Sequence, residues 1–547
     1  MDIRHIERYL GIFLLISGLL SLLPAIVAYH YGEPVIPHVL TAVLSCLCGL
    51  FFIKSPRHEL DFGDAMLLVA LALLITSFFG AIPFFMILKG DLLNNLVNGY
   101  FESVSGYTTT GFSILGDELN PDSGCYSHSI IFRRALTEWV GGLGVIVLFL
   151  SILAKGGIST VYLYKMEVGA RKITPSVEHT AKIILRVYLF YTFIGVVLLW
   201  LLSEDLFHSI TAIMSTISTG GFIFLDQGFN ADFLSMSVLT LYMLIGAIPF
   251  TMHYTLFSGS WGKFFRNMEI RTLCVVIAIS FLLFVTLLWD ELYKYPIQYI
   301  LPAVVSTVTT TGDIGVNLYS GDVGKFILIT LTIVGAGAGS TCGGLKLVRF
   351  AVLMKAIQWL ITKSSLPDTA VIPLKLGKRV FADKELRTIS LFFFIYVILM
   401  VMGMLILLVS GVGSGGGSVK FVDALMLSAS AQGNSSITNL DINSQPLIVR
   451  IFLIFQMIAG RLEIFPVLAL IGYLIHSAKT EALILEHEAV EVEHKLIDDL
   501  EKVEHRVIDD LREVEYTMID NIERDIEIVE GRIKRFRKKL RDAREGK

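Results

Sequence analysis

The sequence predicts an all-α polytopic membrane protein. Two N-terminal helices are followed by four parallel helix–pore-loop–helix repeats around a pseudo-fourfold pore, then by a cytoplasmic coiled-coil tail. Three observations predict this. Of 547 residues, 54% are hydrophobic and only 17% are charged, with a mean hydropathy of +0.68; soluble domains carry about 25% charged residues. Long apolar runs recur as far as residue 476. Between them lie four hydroxyl-rich runs that each end in glycine: Ser105–Gly111, Ser215–Gly221, Ser306–Gly312 and Leu427–Gly433.

The apolar runs fall at about residues 9–29, 38–53, 65–87, 129–154, 183–203, 234–256, 272–290, 325–346, 388–411 and 446–476. They are expected to be ten spanning helices. The first covers a bilayer at ~1.5 Å per residue, and no small-residue cleavage site follows it, so a cleavable signal peptide is not expected. Basic residues flank alternate ends: Arg4 and Arg8; Lys54 and Arg57; Lys165, Arg171 and Lys172; Lys263, Arg266 and Arg271; Lys355, Lys378, Arg379 and Lys384. Acids mark the opposite loops, including Asp117, Glu118, Asp226, Asp232, Asp290, Glu291 and Asp322. The positive-inside rule then predicts a multi-pass protein of the cell inner (plasma) membrane, with both termini cytoplasmic.

Each hydroxyl-glycine run falls on the outer side, behind an amphipathic stretch too short to span: 95–107, 205–217, 296–308 and 420–430. Each unit therefore reads as spanning helix, half-helix, loop, spanning helix. The expected divisions are two extra helices (1–60), repeats at 61–155, 180–257, 270–355 and 385–478, and the tail (481–547). A common direction makes the repeat parallel, unlike the inverted repeats of many secondary transporters.

Non-helical backbone at membrane depth survives only inside protein or against a water-filled cavity. Four loops on one side can form a ring of carbonyls that strips and selects a cation. The candidate ligands are Thr109, Thr110 and Gly111; Thr219, Gly220 and Gly221; Thr310, Thr311 and Gly312; and Gln432, Gly433 and Asn434. A single Thr-Gly run would be an ordinary turn; four behind half-helices are not. The fourth loop departs most, having lost the threonines, and Asp313 stands where the first two loops have Phe112 and Phe222. Asn434-Ser435-Ser436 matches a glycosylation sequon, which a filter site excludes.

Residues 335–344 hold five glycines, Gly335, Gly337, Gly339, Gly343 and Gly344. That density disfavours a rigid helix interior; close helix packing is the plain alternative. Arg461 sits mid-span, where a charge needs a partner or a cavity. Glu463 and Glu138 are the candidate partners.

Three stretches add specificity: Arg134-Ala-Leu-Thr-Glu138-Trp-Val-Gly-Gly-Leu-Gly144, Gly335-Ala-Gly-Ala-Gly-Ser-Thr-Cys-Gly-Gly-Leu-Lys346 and Gly460-Arg-Leu-Glu-Ile-Phe-Pro466. With the four loops they resemble the Trk/Ktr/HKT superfamily of potassium transporters, closest to its TrkH-type membrane subunits, over about residues 5–478. The resemblance implies channel-like potassium uptake, with rubidium or sodium as alternative cargo. It implies that Gly111, Gly221, Gly312 and Gly433 set selectivity; a serine in the first loop of some plant members accompanies sodium preference. It also implies that Gly335–Gly344 is an intramembrane gating loop and Arg461 a positive barrier beneath the filter. A homodimer and a cytosolic nucleotide-binding regulatory ring of the TrkA or KtrA type are the implied partners.

After Thr480 the composition changes. Apolar residues Leu496, Leu500, Val503, Val507, Leu511, Val514, Met518 and Ile522 follow an 11-residue repeat, which favours a right-handed or nearly straight coiled coil. A single solvated helix with i,i+4 ion pairs is the alternative.

The membrane segments show no acid–base or metal-ligand spacing, so no enzyme is expected, and no nucleic-acid partner. His253 is isolated and expected at a cytoplasmic helix end. Cys46, Cys48, Cys125, Cys274 and Cys342 suggest neither a disulfide framework nor a zinc site.

Overall fold

The computed structural model describes residues 4–56, 60, 62–115, 127–153, 177–203, 205–222, 233–289, 297–312, 321–367, 372–376, 379–413 and 416–544. Arg57, Asp117, Glu118, Cys125, Lys165, Arg171, Lys172, Asp226, Asp232, Asp290, Glu291, Asp313 and Lys378 lie outside the described residues. The chain forms two units, Met1–Ile471 and Gly472–Lys547.

Among the described residues, the regular structure of the first unit is helical except for one short hairpin. Its opening helices are α1 (Arg4–Leu20), α2 (Leu22–His30) and α3 (Ile36–Phe52). A Cβ on Gly11 would stand 2.7 Å from the Gly49 carbonyl oxygen, and one on Gly49 2.9 Å from that of Gly11. The α1 and α3 backbones therefore touch through small residues, as membrane helices do.

Next come α4 (Phe62–Gly80), α5 (Ile82–Ile87), α6 (Leu92–Tyr107) and α7 (Ser127–Leu153). They are followed by α8 (Val177–Ser203), α9 (Leu206–Ile217), α10 (Phe233–Ala247), α11 (Phe250–Phe257) and α12 (Trp261–Phe265). Then come α13 (Met268–Leu287), α14 (Ile297–Val308), α15 (Gly321–Val334) and α16 (Leu347–Ser364). The hairpin β1 (Leu374–Leu376) and β2 (Arg379–Phe381) precedes α17 (Asp383–Ser410), α18 (Phe421–Gly433) and α19 (Leu447–Leu462).

Four of these are the short half-helices: α6, α9, α14 and α18. Acids start two of them, since Asp91 accepts from Asn94 N at 3.3 Å and Asp205 from His208 N at 2.9 Å. An N-cap carboxylate satisfies amides that lack an intrahelical partner. Their inner faces are packed: Phe101, Val104, Ile213, Ile217, Val305 and Leu427 share one buried cluster. Phe51, Phe193, Leu282 and Phe394 stay largely exposed. An apolar exterior around buried hydroxyls is the arrangement of a chain whose solvent is lipid.

Among the described residues, five segments are long and apolar enough to cross a membrane, and two bent helix pairs raise this to seven. The ten apolar runs all contain helix; single-residue turns at Ser21 and Ala81 interrupt the first and third, and three others are broken more sharply. The sixth bends by 104° between α10 and α11, where Pro249 denies the backbone an amide. The eighth stops as a helix at Val334, and 335–346 is irregular. The tenth ends its first helix at Leu462, and Glu463 has φ +60°. His253 is not a solvated helix end: it is buried in α11, with Nδ1 3.1 Å from the Tyr191 hydroxyl and Nε2 3.0 Å from the Ile245 carbonyl.

The last helix, α20, is Ile464–Arg544. Within the second unit, Leu496, Leu500, Val503, Val507, Leu511, Val514, Met518 and Ile522 are 60, 60, 53, 50, 63, 57, 59 and 54% exposed. Ion pairs such as Arg524–Asp520 (2.6 Å) decorate the same helix.

Candidate functional site: a ring of four buried loops

The four half-helices end alike. Thr109, Thr219, Thr310 and Asn434 have φ of +53, +54, +54 and +52°. That is left-handed backbone, costly for a β-branched residue. The next amide returns to the half-helix each time: Thr110 N to Ser105 O (2.9 Å), Gly220 N to Ser215 O (2.9 Å), Thr311 N to Ser306 O (2.8 Å) and Ser435 N to Ser430 O (2.9 Å). The left-handed residue and the returning amide are the two parts of one helix C-cap, and its recurrence sets one register for all four loops.

That register corrects the fourth loop by three residues. Gln432 and Gly433 belong to the last turn of α18. Asn434 takes the place of the left-handed threonines, and Ser436 stands where the other loops have Gly111, Gly221 and Gly312. Asparagine tolerates the left-handed region because its short amide bonds locally, so the turn needs no Thr-Thr-Gly signature.

The loops close into a ring. A Cβ on Gly111 would collide with the Gly220 carbonyl oxygen, and one on Gly221 with the Thr311 carbonyl oxygen. One on Gly312 would collide with the Ser436 hydroxyl. Asn434 Nδ2 completes the circuit by donating to Thr110 Oγ1 at 3.0 Å. Thr109, Thr110, Thr219, Thr310, Thr311, Gln432 and Asn434 are wholly buried. The C-terminal ends of the four half-helices meet here, bringing partial negative charge.

The glycine-rich segment packs directly against this ring. Gly335, Gly339, Gly344 and Lys346 have φ of +64, +74, +75 and +73°, so the segment cannot continue α15. It docks on the α10–α11 bend, whose freed carbonyls take its amides: Gly337 N to Ala247 O and Thr341 N to Gly246 O, both 3.2 Å. Gly343 N donates to Thr310 Oγ1 at 2.9 Å, and Thr219 Oγ1 donates to Thr341 Oγ1 at 3.1 Å. A Cβ on Gly343 would collide with the Gly433 carbonyl oxygen. Two loops of the ring therefore hold the segment through threonine side chains.

Arg461 reaches the same place. Its guanidinium donates to Thr341 O (2.5 Å) and Gly141 O (2.8 Å). Neither carboxylate candidate fills its hydrogen bonds: Glu463 pairs with Arg349, and Glu138 Oε1 accepts from Phe222 N at 2.9 Å. Sequence spacing could not reveal this, because carbonyl acceptors leave no residue signature.

A family model described as cation transport protein, TrkH, matches residues 95–482. The chain belongs to the TrkH family. Its members are transporters, so it is a transporter and not an enzyme, and an integral membrane protein. An uncharacterized cation transporter of Methanocaldococcus jannaschii is 31% identical, the match covering 86% of this chain and 96% of that protein. The Trk system potassium uptake protein TrkH of Vibrio parahaemolyticus is 29% identical, with 86% and 99% covered. The crystal structure of the potassium transporter TrkH from Vibrio parahaemolyticus superposes with a TM-score of 0.74 at 26% identity, covering 86% of this chain and 98% of that one. In this TrkH-family protein the ring, the glycine-rich segment and Arg461 all lie inside the matched region.

Proposed function

We propose that this TrkH-family protein takes up potassium through a channel-like path in which the four-loop ring is the selectivity filter. The closed ring carries the reading: four half-helix ends in one register meet in the buried interior, and their loops offer backbone carbonyls that can replace a cation's hydration shell. The names of the relatives support potassium as the ion. The four helix–loop units support a parallel repeat around a pseudo-fourfold pore. Ser436 favours a second reading, sodium-permeable or coupled to sodium or protons, since a side chain replaces the fourth glycine.

Gly335–Gly344 acts as the gate and Arg461 as a positive barrier under the filter. Opening requires the segment to leave Thr310 and Thr219. The protein works in the cell inner membrane with both termini cytoplasmic, as a homodimer whose tails form a coiled coil. A nucleotide-binding ring of the TrkA or KtrA type is the regulatory partner the family suggests. Rescue of a potassium-uptake-deficient bacterium tests the reading: growth at limiting potassium is expected, and failure to grow with the protein present in the membrane would overturn it.

A further inference from the structure

Within the three residues that begin at the left-handed one, the second loop differs from the first and third at one position. Thr110 and Thr311 each follow the left-handed residue; the second loop has Gly220 there. The reason lies on α7. A Cβ on Gly220 would stand 2.5–2.6 Å from the Glu138 carboxylate oxygens. Glu138 is fully buried and occupies the space of the missing threonine. Its Oε1 accepts from Phe222 N at 2.9 Å.

That bond fixes a carbonyl. Phe222 N and Gly221 O share one planar peptide, and cis peptides are absent among the described residues. In a trans peptide the N–H and C=O point in opposite directions. Holding the Phe222 amide against α7 therefore turns the Gly221 oxygen away from α7. Neighbouring groups brace the carboxylate's surroundings. The Arg134 guanidinium lies 4.0 Å from the Phe222 ring centroid and pairs with Glu102 at 2.9 Å. Glu102 in turn accepts from Ile114 N at 3.0 Å and Ser113 Oγ at 3.0 Å.

We propose that Glu138 is a positioning residue for cation discrimination: it aims the Gly221 carbonyl into the ring through the Phe222 amide, without touching the ion. This rests on the filter reading above. Glu138→Gln keeps an oxygen acceptor; Glu138→Ala removes it; Gly220→Ala displaces the carboxylate from the opposite side. The readout is the rubidium-to-sodium flux ratio at equal protein level in liposomes. Glu138→Gln is expected near the wild-type ratio. Glu138→Ala and Gly220→Ala are expected to lower it roughly tenfold, the scale of one lost hydrogen bond to a charged group. If Glu138→Ala does not fold, Gly220→Ala decides. Wild-type ratios in the alanine variants, or equal loss in Glu138→Gln and Glu138→Ala, overturn the proposal. A wild-type protein that passes no cation selectively instead overturns the filter reading.

Discussion

Asn434 donates from Nδ2 to Thr110 Oγ1 at 3.0 Å, joining residues 324 positions apart. The same nitrogen donates to Met457 O at 2.8 Å. One amide group therefore ties the fourth loop both to the first loop and to the inner helix behind it.

Asn434→Leu should remove both bonds and force a branched side chain into left-handed backbone. The backbone term alone is about 1–2 kcal/mol, and each lost hydrogen bond adds about 1 kcal/mol. A clear fall in the melting temperature of the purified protein is expected, with rubidium uptake lost. An unshifted melting curve would contradict the account.

Ser436 faces the second and third loops, where its hydroxyl fills the space a Cβ would need at Gly221 or Gly312. Ser436→Ala should transport nearly as well as the wild type. Ser436→Val should overpack the ring at a cost of about 1–3 kcal/mol, cutting rubidium uptake about tenfold. Uptake at the wild-type rate in the valine variant would place Ser436 outside the ring.

The half-helices were legible in the sequence because their ends are marked. Stretches 95–107, 205–217 and 296–308 stop where α6, α9 and α14 stop. The fourth was misplaced for a physical reason. Gly433 looks like the loop glycine, yet the turn is made by Asn434, which tolerates the same φ. The run 234–256 reads as one span; only the fold shows the 104° bend between α10 and α11, whose carbonyls receive the glycine-rich segment. The partners of Arg461 were illegible, since any residue can supply a carbonyl.

Arg461 holds two backbone carbonyls, Thr341 O in the glycine-rich segment and Gly141 O in α7. Arg461→Ala should release the Thr341 carbonyl and remove the positive charge below the ring. Potassium uptake should rise several-fold at equal expression. Unchanged uptake would remove its barrier role.

The tail's apolar stripe is exposed along its length, and the family model ends at residue 482. Burying such a stripe is favourable at about 25 cal/mol per Å². Leu511→Cys in a chain freed of its other cysteines should cross-link into a covalent dimer under mild oxidation. A product that stays monomeric would count against paired tails.

Rubidium and sodium flux through the purified full-length chain in liposomes tests the central claim most directly. The account predicts downhill flux without added energy, with rubidium ahead of sodium, and loss of both in Asn434→Leu. Flux that does not distinguish the two ions, or survives intact in that variant, would contradict a filter built from these four loops.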